Sequence, residues 1–179
     1  MENISVLGAG SWGTALAIVL AENGHRVRIW SHRQDQVDEI NTQHTNAKYL
    51  PNTTLPMNLV ATASLQQAVD ESDMIVVAVP TKAIRSVCQQ FVPFMREEKL
   101  FVHVSKGIEP DSLKRISELL AEEIPSMLRS DIVVLSGPSH AEEVVLQHPT
   151  TVTVACENMR AAERVQDAFM SSYFRVYTL

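Results

Sequence analysis

The sequence predicts an α/β fold: a doubly wound, mostly parallel sheet with helices on both faces. Three observations carry that expectation. Short apolar runs alternate with stretches of helical periodicity along all 179 residues, the order expected of strand–helix units that feed a parallel sheet. Residues 74–79 are continuously apolar and are closed by Pro80, as a strand buried on both faces would be. Gly8, Gly10 and Gly13 form a single G-x-G-x-x-G between the first strand and the first helix, where a Rossmann-like sheet begins.

The first strand spans Asn3–Leu7. A helix over 11–23 follows, with Trp12, Ala15, Leu16, Val19 and Leu20 at helical spacing, and Gly24 supplies the positive φ that a helix end takes. A strand at Arg26–Trp30 leads to a polar helix over 33–43, which Ser31 and Gln34 are placed to cap. Residues 44–57 contain Pro51 and Pro56 and read as a loop. Strand 59–61, helix 65–71, strand 74–79, helix 82–91, strand 100–104, helix 111–123 and strand 132–136 continue the alternation. Residues 137–149 read as a loop, and strands at 151–155 and 174–177 flank a helix at 159–170.

Hydrophobic residues make up 45% of the chain and charged residues 20%, which excludes disordered and fibrous classes, and the length fits one domain. Fifteen basic residues face 21 acidic ones, leaving a net charge of −6, the wrong sign for a nucleic-acid partner. Runs such as 75–81 are far too short for a membrane span, and Met1-Glu2-Asn3 enters the first strand without a leader-like segment, so no membrane insertion is expected. Two distant cysteines, Cys88 and Cys156, fit a reducing, cytoplasmic setting better than a disulfide framework.

The glycine motif carries a specific chemistry. The first glycine allows a tight turn, the second lets backbone approach a pyrophosphate, and the third lets helix and strand pack closely. The helix N-terminus then turns the N–H groups of Ser11 and Trp12 toward the phosphates. A carboxylate after the second strand would hold the adenosine ribose 2′-hydroxyl, but Ser31-His32-Arg33 stands there and none occurs before Asp35. A cation at a helix start opposes the macrodipole unless an anion such as a 2′-phosphate meets it. NADPH is therefore favoured over NADH, with dual use as the alternative.

Ligands of open sheets gather beyond the carboxyl ends of the strands. Pro80-Thr81-Lys82, Ser105-Lys106-Gly107 and Ser136-Gly137-Pro138-Ser139-His140 all fall there. Lys106, beside a glycine at a strand end, stands above Lys82, which reads as a solvated lysine opening a helix. The histidines and cysteines show no metal-ligand spacing, so no metal is expected. Glu142 and Glu143 read as acids at a helix start, and no Ser-His-Asp triad can be assembled.

Read together, residues 8–17 (Gly-Ala-Gly-Ser-Trp-Gly-Thr-Ala-Leu-Ala), Tyr49-Leu50-Pro51, Val77-Ala78-Val79-Pro80-Thr81, Val104-Ser105-Lys106-Gly107-Ile108 and Leu135-Ser136-Gly137-Pro138-Ser139-His140-Ala141 resemble the bacterial-type NAD(P)-dependent glycerol-3-phosphate dehydrogenase family along essentially the whole chain. The resemblance implies that residues 1–179 are an NAD(P)-binding domain, with a helical substrate domain after residue 179. It implies reduction of dihydroxyacetone phosphate to sn-glycerol 3-phosphate, feeding glycerophospholipid synthesis, with hydride from NADPH or NADH and a general-acid lysine in the second domain. Carried over motif by motif, Gly8, Gly10, Ser11, Trp12, Gly13, His32, Arg33, Lys106 and Ala141 contact the cofactor. Lys106 also polarises the substrate carbonyl, and Gly137 and Ser139 share the substrate side with it. The 1–179 piece alone is then expected to bind cofactor without turnover, as a monomer or a homodimer. Two rival readings stand beside this one: the cofactor half of another two-domain hydroxy-acid or sugar-acid dehydrogenase, and a module that senses the dinucleotide without chemistry.

Overall fold

The computed structural model describes residues 1–179 and alternates strand with helix from end to end. Its elements are β1 (Asn3–Leu7), α1 (Ser11–Glu22), β2 (Arg26–Trp30), α2 (Gln34–Gln43), β3 (Leu59–Thr62), α3 (Leu65–Asp70), β4 (Met74–Val77), α4 (Thr81–Phe91), β5 (Lys99–His103), α5 (Ile116–Glu123), β6 (Arg129–Ser136), α6 (Ala141–Val145), β7 (Thr150–Ala155), α7 (Met159–Phe169) and β8 (Phe174–Thr178). All eight strands join one sheet in the order β3-β2-β1-β4-β5-β6-β7-β8. Every pairing is parallel except β6 with β7. The doubly wound, Rossmann-like architecture read from the alternation is the one observed. The winding changes direction between β1 and β4, and a switch point of this kind opens a crevice beyond the carboxyl ends of the strands.

Alternation along each strand assigns the two helical layers. In β4, Met74 and Val76 enter the core shared with α1, α2, α6 and α7, whereas Ile75 and Val77 enter the core shared with α3, α4 and α5. Both faces of β4 are thus dry, which is why its sequence shows no polar alternation. Helix α1 is buried continuously from Gly13 to Ala21 because α6 and α7 cover the side that the sheet leaves open. No helix is long and apolar enough to cross a membrane.

Several local expectations are corrected. The apolar run 74–79 ends its strand at Val77: the Ala78 N–H still reaches the Leu7 carbonyl at 2.8 Å, but Val79 offers its carbonyl to the Ser105 hydroxyl instead of a neighbouring strand. The helix expected over 111–123 begins only at Ile116. Residues 108–115 make a tight turn closed by the Glu109 N–H on the Lys114 carbonyl at 2.9 Å, with Leu113 at φ 59°. The stretch 137–149 holds the short helix α6, whose Ala141 and Val144 are buried against α1. Ser31 and Gln34 form no capping box. Arg33 is itself the N-cap residue of α2, and the Ser31 hydroxyl points inward.

Candidate functional site

At the carboxyl edge of β1, β2, β4 and β5 lies a cleft of about 630 Å³. It gathers Gly8, Gly10, Ser11, Trp12, Gly13, His32, Arg33, Lys106, Ser139 and Ala141 from four segments of the chain. Of the cofactor and substrate residues that the family resemblance implies, all but Gly137 border this one cavity. A Cβ on Gly137 would lie 2.9 Å from the Thr151 carbonyl oxygen, so this glycine lets β6 pass closely beside β7 and does not line the cleft.

Each glycine of the motif has its own reason. Gly8 sits at φ 118°, and a Cβ there would press on the Ala78 carbonyl at 2.7 Å. At Gly13 a Cβ would strike the Gly8 carbonyl, so the start of α1 is drawn tightly against the strand end. Around Gly10 nothing lies within 4 Å of where a Cβ would stand. The space beside the second glycine is open, and Gly10 caps α1 with no side-chain bond and no acid in the first turn. A pyrophosphate fits this arrangement: open volume, free N–H groups and the positive end of a 12-residue helix converge on it.

The far side of the glycine wall is held by Ser31, Gln36 and Asn46, whose side chains are buried and bonded to one another or to the loop. At the rim, Arg33 is pinned by Asp35 through Nη2–Oδ2 at 2.6 Å. The hydrogen bond and charge of Asp35 raise the guanidinium above its ordinary value, and Arg33 holds the Asp35 carboxyl below its own. The cation at the start of α2 thus has a local anion, a structural role that the sequence reading left open. Tyr49 completes this rim, and its carbonyl accepts the Ser11 hydroxyl at 3.1 Å.

The opposite wall follows β4 and β5. The Lys106 carbonyl accepts from the Thr81 hydroxyl at 3.0 Å, while its ammonium-bearing side chain is exposed. Beyond Gly107 the chain is clamped by Arg85, whose guanidinium meets Glu109 at 2.8 and 2.7 Å and also reaches Glu122 and Glu123. Arg85 and Ser112 lower the Glu109 carboxyl to about 2. Below this loop His103 is buried with neither ring nitrogen hydrogen-bonded, and burial pushes its pKa down to about 4 against a small lift from the Ser105 backbone. No group of three His, Cys, Asp or Glu side chains is arranged to hold a metal.

Comparison with known proteins decides what this cleft belongs to. Residues 3–162 match the family described as NAD-dependent glycerol-3-phosphate dehydrogenase N-terminus. The chain is a member of that family. Among its relatives, a glycerol-3-phosphate dehydrogenase [NAD(P)+] of Lysinibacillus sphaericus is 64% identical over 99% of this chain and 53% of its own length. One of Bacillus subtilis with the same name is 59% identical over 99% and 52%. A crystal structure of glycerol-3-phosphate dehydrogenase from Coxiella burnetii superposes with a TM-score of 0.88 at 35% identity, covering 99% of this chain and 54% of that one. The chain spans about half the length of the curated relatives it matches. Pyrroline carboxylate reductase of Plasmodium falciparum shares only the fold, at 16% identity and a TM-score of 0.65.

Within this glycerol-3-phosphate dehydrogenase N-terminal fold, sequence reasoning missed Gln36, Asn46, Tyr49 and Glu109. Gln36 stands in a polar helix and looked like a surface residue. Asn46 lies in a loop with no pattern. Tyr49 was quoted within Tyr49-Leu50-Pro51, and its place at the rim depends on how the 44–57 loop folds back. Glu109 follows the Lys106-Gly107-Ile108 segment directly, and a carboxylate so close to a candidate lysine loop was the available signal.

Proposed function

We propose that residues 1–179 form the dinucleotide-binding domain of a glycerol-3-phosphate dehydrogenase. The enzyme reduces dihydroxyacetone phosphate to sn-glycerol 3-phosphate in the cytoplasm and supplies glycerophospholipid synthesis. The observation that carries the reading is the open cradle at Gly10, facing the N-terminus of α1 and continuous with Lys106 across one cleft. The dinucleotide supplies the hydride when bound. Around it, the glycine loop and α1 bind the pyrophosphate, and His32 and Arg33 meet the adenosine ribose, with Arg33 favouring NADPH over NADH by pairing with the 2′-phosphate. Ala141 closes the cofactor side. Lys106 directs its ammonium at the substrate carbonyl oxygen and steadies the negative charge that develops there, with Ser139 on the same flank. The proton that completes the alcohol is assigned to a lysine of a helical substrate domain outside residues 1–179.

Trp12 and Trp30, the two tryptophans of the chain, both line the cleft and give a direct test. Titrating the purified chain with NADPH and NADH is expected to quench their emission saturably, more tightly for NADPH. Addition of dihydroxyacetone phosphate is expected to leave nicotinamide absorbance unchanged. An emission spectrum indifferent to both dinucleotides overturns the reading, and steady oxidation by a clean sample overturns the assignment of the proton donor.

A further inference from the structure

We propose that Gln36 and Asn46 are positioning residues for the dinucleotide, and that Gln36 couples the pyrophosphate loop to the segment that reads the adenosine ribose. The inference rests on the dinucleotide reading above.

Ala9 lies between Gly8 and Gly10, and its carbonyl accepts two buried amides, Gln36 Nε2 at 2.7 Å and Asn46 Nδ2 at 3.0 Å. Asn46 Nδ2 also donates to Thr14 Oγ1 at 2.9 Å, while Asn46 Oδ1 accepts from Gln36 Nε2 at 3.0 Å. Gln36 Oε1 accepts from the Ser31 hydroxyl, and the same Ser31 oxygen takes the Arg33 backbone N–H at 3.1 Å. Gln36, Asn46, Thr14 and Ser31 are all buried, with Asn46 only 1% exposed. A buried amide left without partners is costly, so a network in which each amide is fully used has one arrangement and resists any other.

The peptide plane converts that arrangement into a binding device. In a trans peptide the carbonyl of one residue and the N–H of the next point in opposite directions. Fixing the Ala9 carbonyl on the buried amides therefore turns the Gly10 N–H outward, to the side on which the cleft opens. That N–H has no acceptor within the protein, and the volume beside Gly10 is empty. A glycine-rich loop does not hold such an orientation by itself, because its backbone has too much freedom. Gln36 and Asn46 supply the restraint from outside the motif. Gln36 has a second effect that Asn46 lacks, since only Gln36 bonds to Ser31 and so to the backbone carrying His32 and Arg33.

The test is a comparison of NADPH and NADH affinities in the purified chain bearing Asn46→Leu, Gln36→Met or Ser31→Ala. Loss of one such bond is expected to weaken binding about ten-fold. Asn46→Leu is expected to weaken both cofactors equally and leave their ratio unchanged. Gln36→Met is expected to weaken both and also narrow the NADPH preference. Ser31→Ala cuts the link between the two regions while both amides keep their bonds to the Ala9 carbonyl, and is expected to narrow the preference roughly three-fold with a smaller common loss than Gln36→Met. A general loss of structure cannot produce this split between affinity and ratio. Wild-type affinities for both cofactors in a folded Asn46→Leu or Gln36→Met chain overturn the positioning role. A Ser31→Ala chain with the wild-type ratio overturns the coupling. If the unaltered chain binds neither cofactor, the dinucleotide reading itself fails, a result that the variants cannot mimic.

Discussion

The two walls of the cleft are fastened by different chemistry. Around the glycine loop the fasteners are neutral and buried, the side chains of Thr14, Ser31, Gln36 and Asn46. Around Lys106 they are charged, with Arg85 tying α4 to Glu109 before α5 and to Glu123 within it. Neutral bonds in a dry interior do not titrate and are little affected by salt, whereas ion pairs weaken with both. The glycine wall therefore keeps one shape across solution conditions, and the lysine wall answers to them. A loop that must present fixed N–H groups calls for the first kind of fastening. A loop that presents a mobile ammonium tolerates the second.

The largest effect is expected inside the glycine wall. Gly13→Ala forces a methyl group into the Gly8 carbonyl and is expected to cost about 1–3 kcal/mol in urea unfolding. Gly10→Ala meets no protein atom and is expected to leave the urea midpoint nearly unchanged while abolishing the quenching by NADPH. Equal midpoints for the two variants would show that the wall is not rigid.

In the lysine wall, His103 has a folded pKa of about 4 against an ordinary value of 6.5. Because the unfolded chain takes up the proton first, stability is expected to fall as pH drops from 6.5 toward 4, by up to about 3 kcal/mol. His103→Phe is expected to remove that slope without loss of stability at pH 7, as read from urea midpoints at successive pH values. A slope that survives the substitution places its origin elsewhere.

At the rim, Arg33→Asp is expected to weaken NADPH binding roughly ten- to hundred-fold while sparing NADH. Equal loss of both would mark Arg33 as a folding residue held by Asp35.

The smallest effect is expected at the clasp. The Glu109 carboxyl lies at about 2, below its ordinary 4.5, so its contribution is complete above pH 4.5 and fades as pH falls through 2. Glu109→Gln is expected to lower the melting temperature at pH 6 by about 2–4 °C and to flatten its fall in acid, since the amide keeps a neutral hydrogen bond to the partly exposed Arg85. The same variant at high salt is expected to show a smaller difference, whereas Asn46→Leu keeps its full effect.

Much of this could be read beforehand, and the parts that could not share a physical cause. The alternation of elements and the two-sided layering follow from periodicity, which is written residue by residue: Met74 to Val77 declares both of its faces, whereas the order of strands in the sheet carries no such mark. The glycine motif likewise declared its position by its spacing across one strand–turn–helix junction, although the atom that requires Gly8 is the Ala78 carbonyl of a separate segment. Gln36 and Asn46 were hidden because their burial depends on the 44–57 loop folding over Ala9, a long-range event with no period. Residues 111–115 were expected to open the helix over 111–123, but they belong to a turn closed between Glu109 and Lys114, and Arg85 holds Glu109 there. The antiparallel entry of β7 was likewise invisible, since a strand carries no mark of its direction.

The two tryptophans that border the cleft belong to different halves of the interior. Trp12 packs against the core of α1, α6 and α7, and Trp30 lies within that of α3, α4 and α5. Their emission is thus a probe of both layers at the cleft, and it reports on β7, α7 and β8 only through the core that Trp12 shares with them. An unfolding curve followed by fluorescence and one followed by circular dichroism will coincide only if the far strands melt together with the cleft. A gap between the two curves would mean that the binding edge and the β7–β8 edge are separate cooperative units.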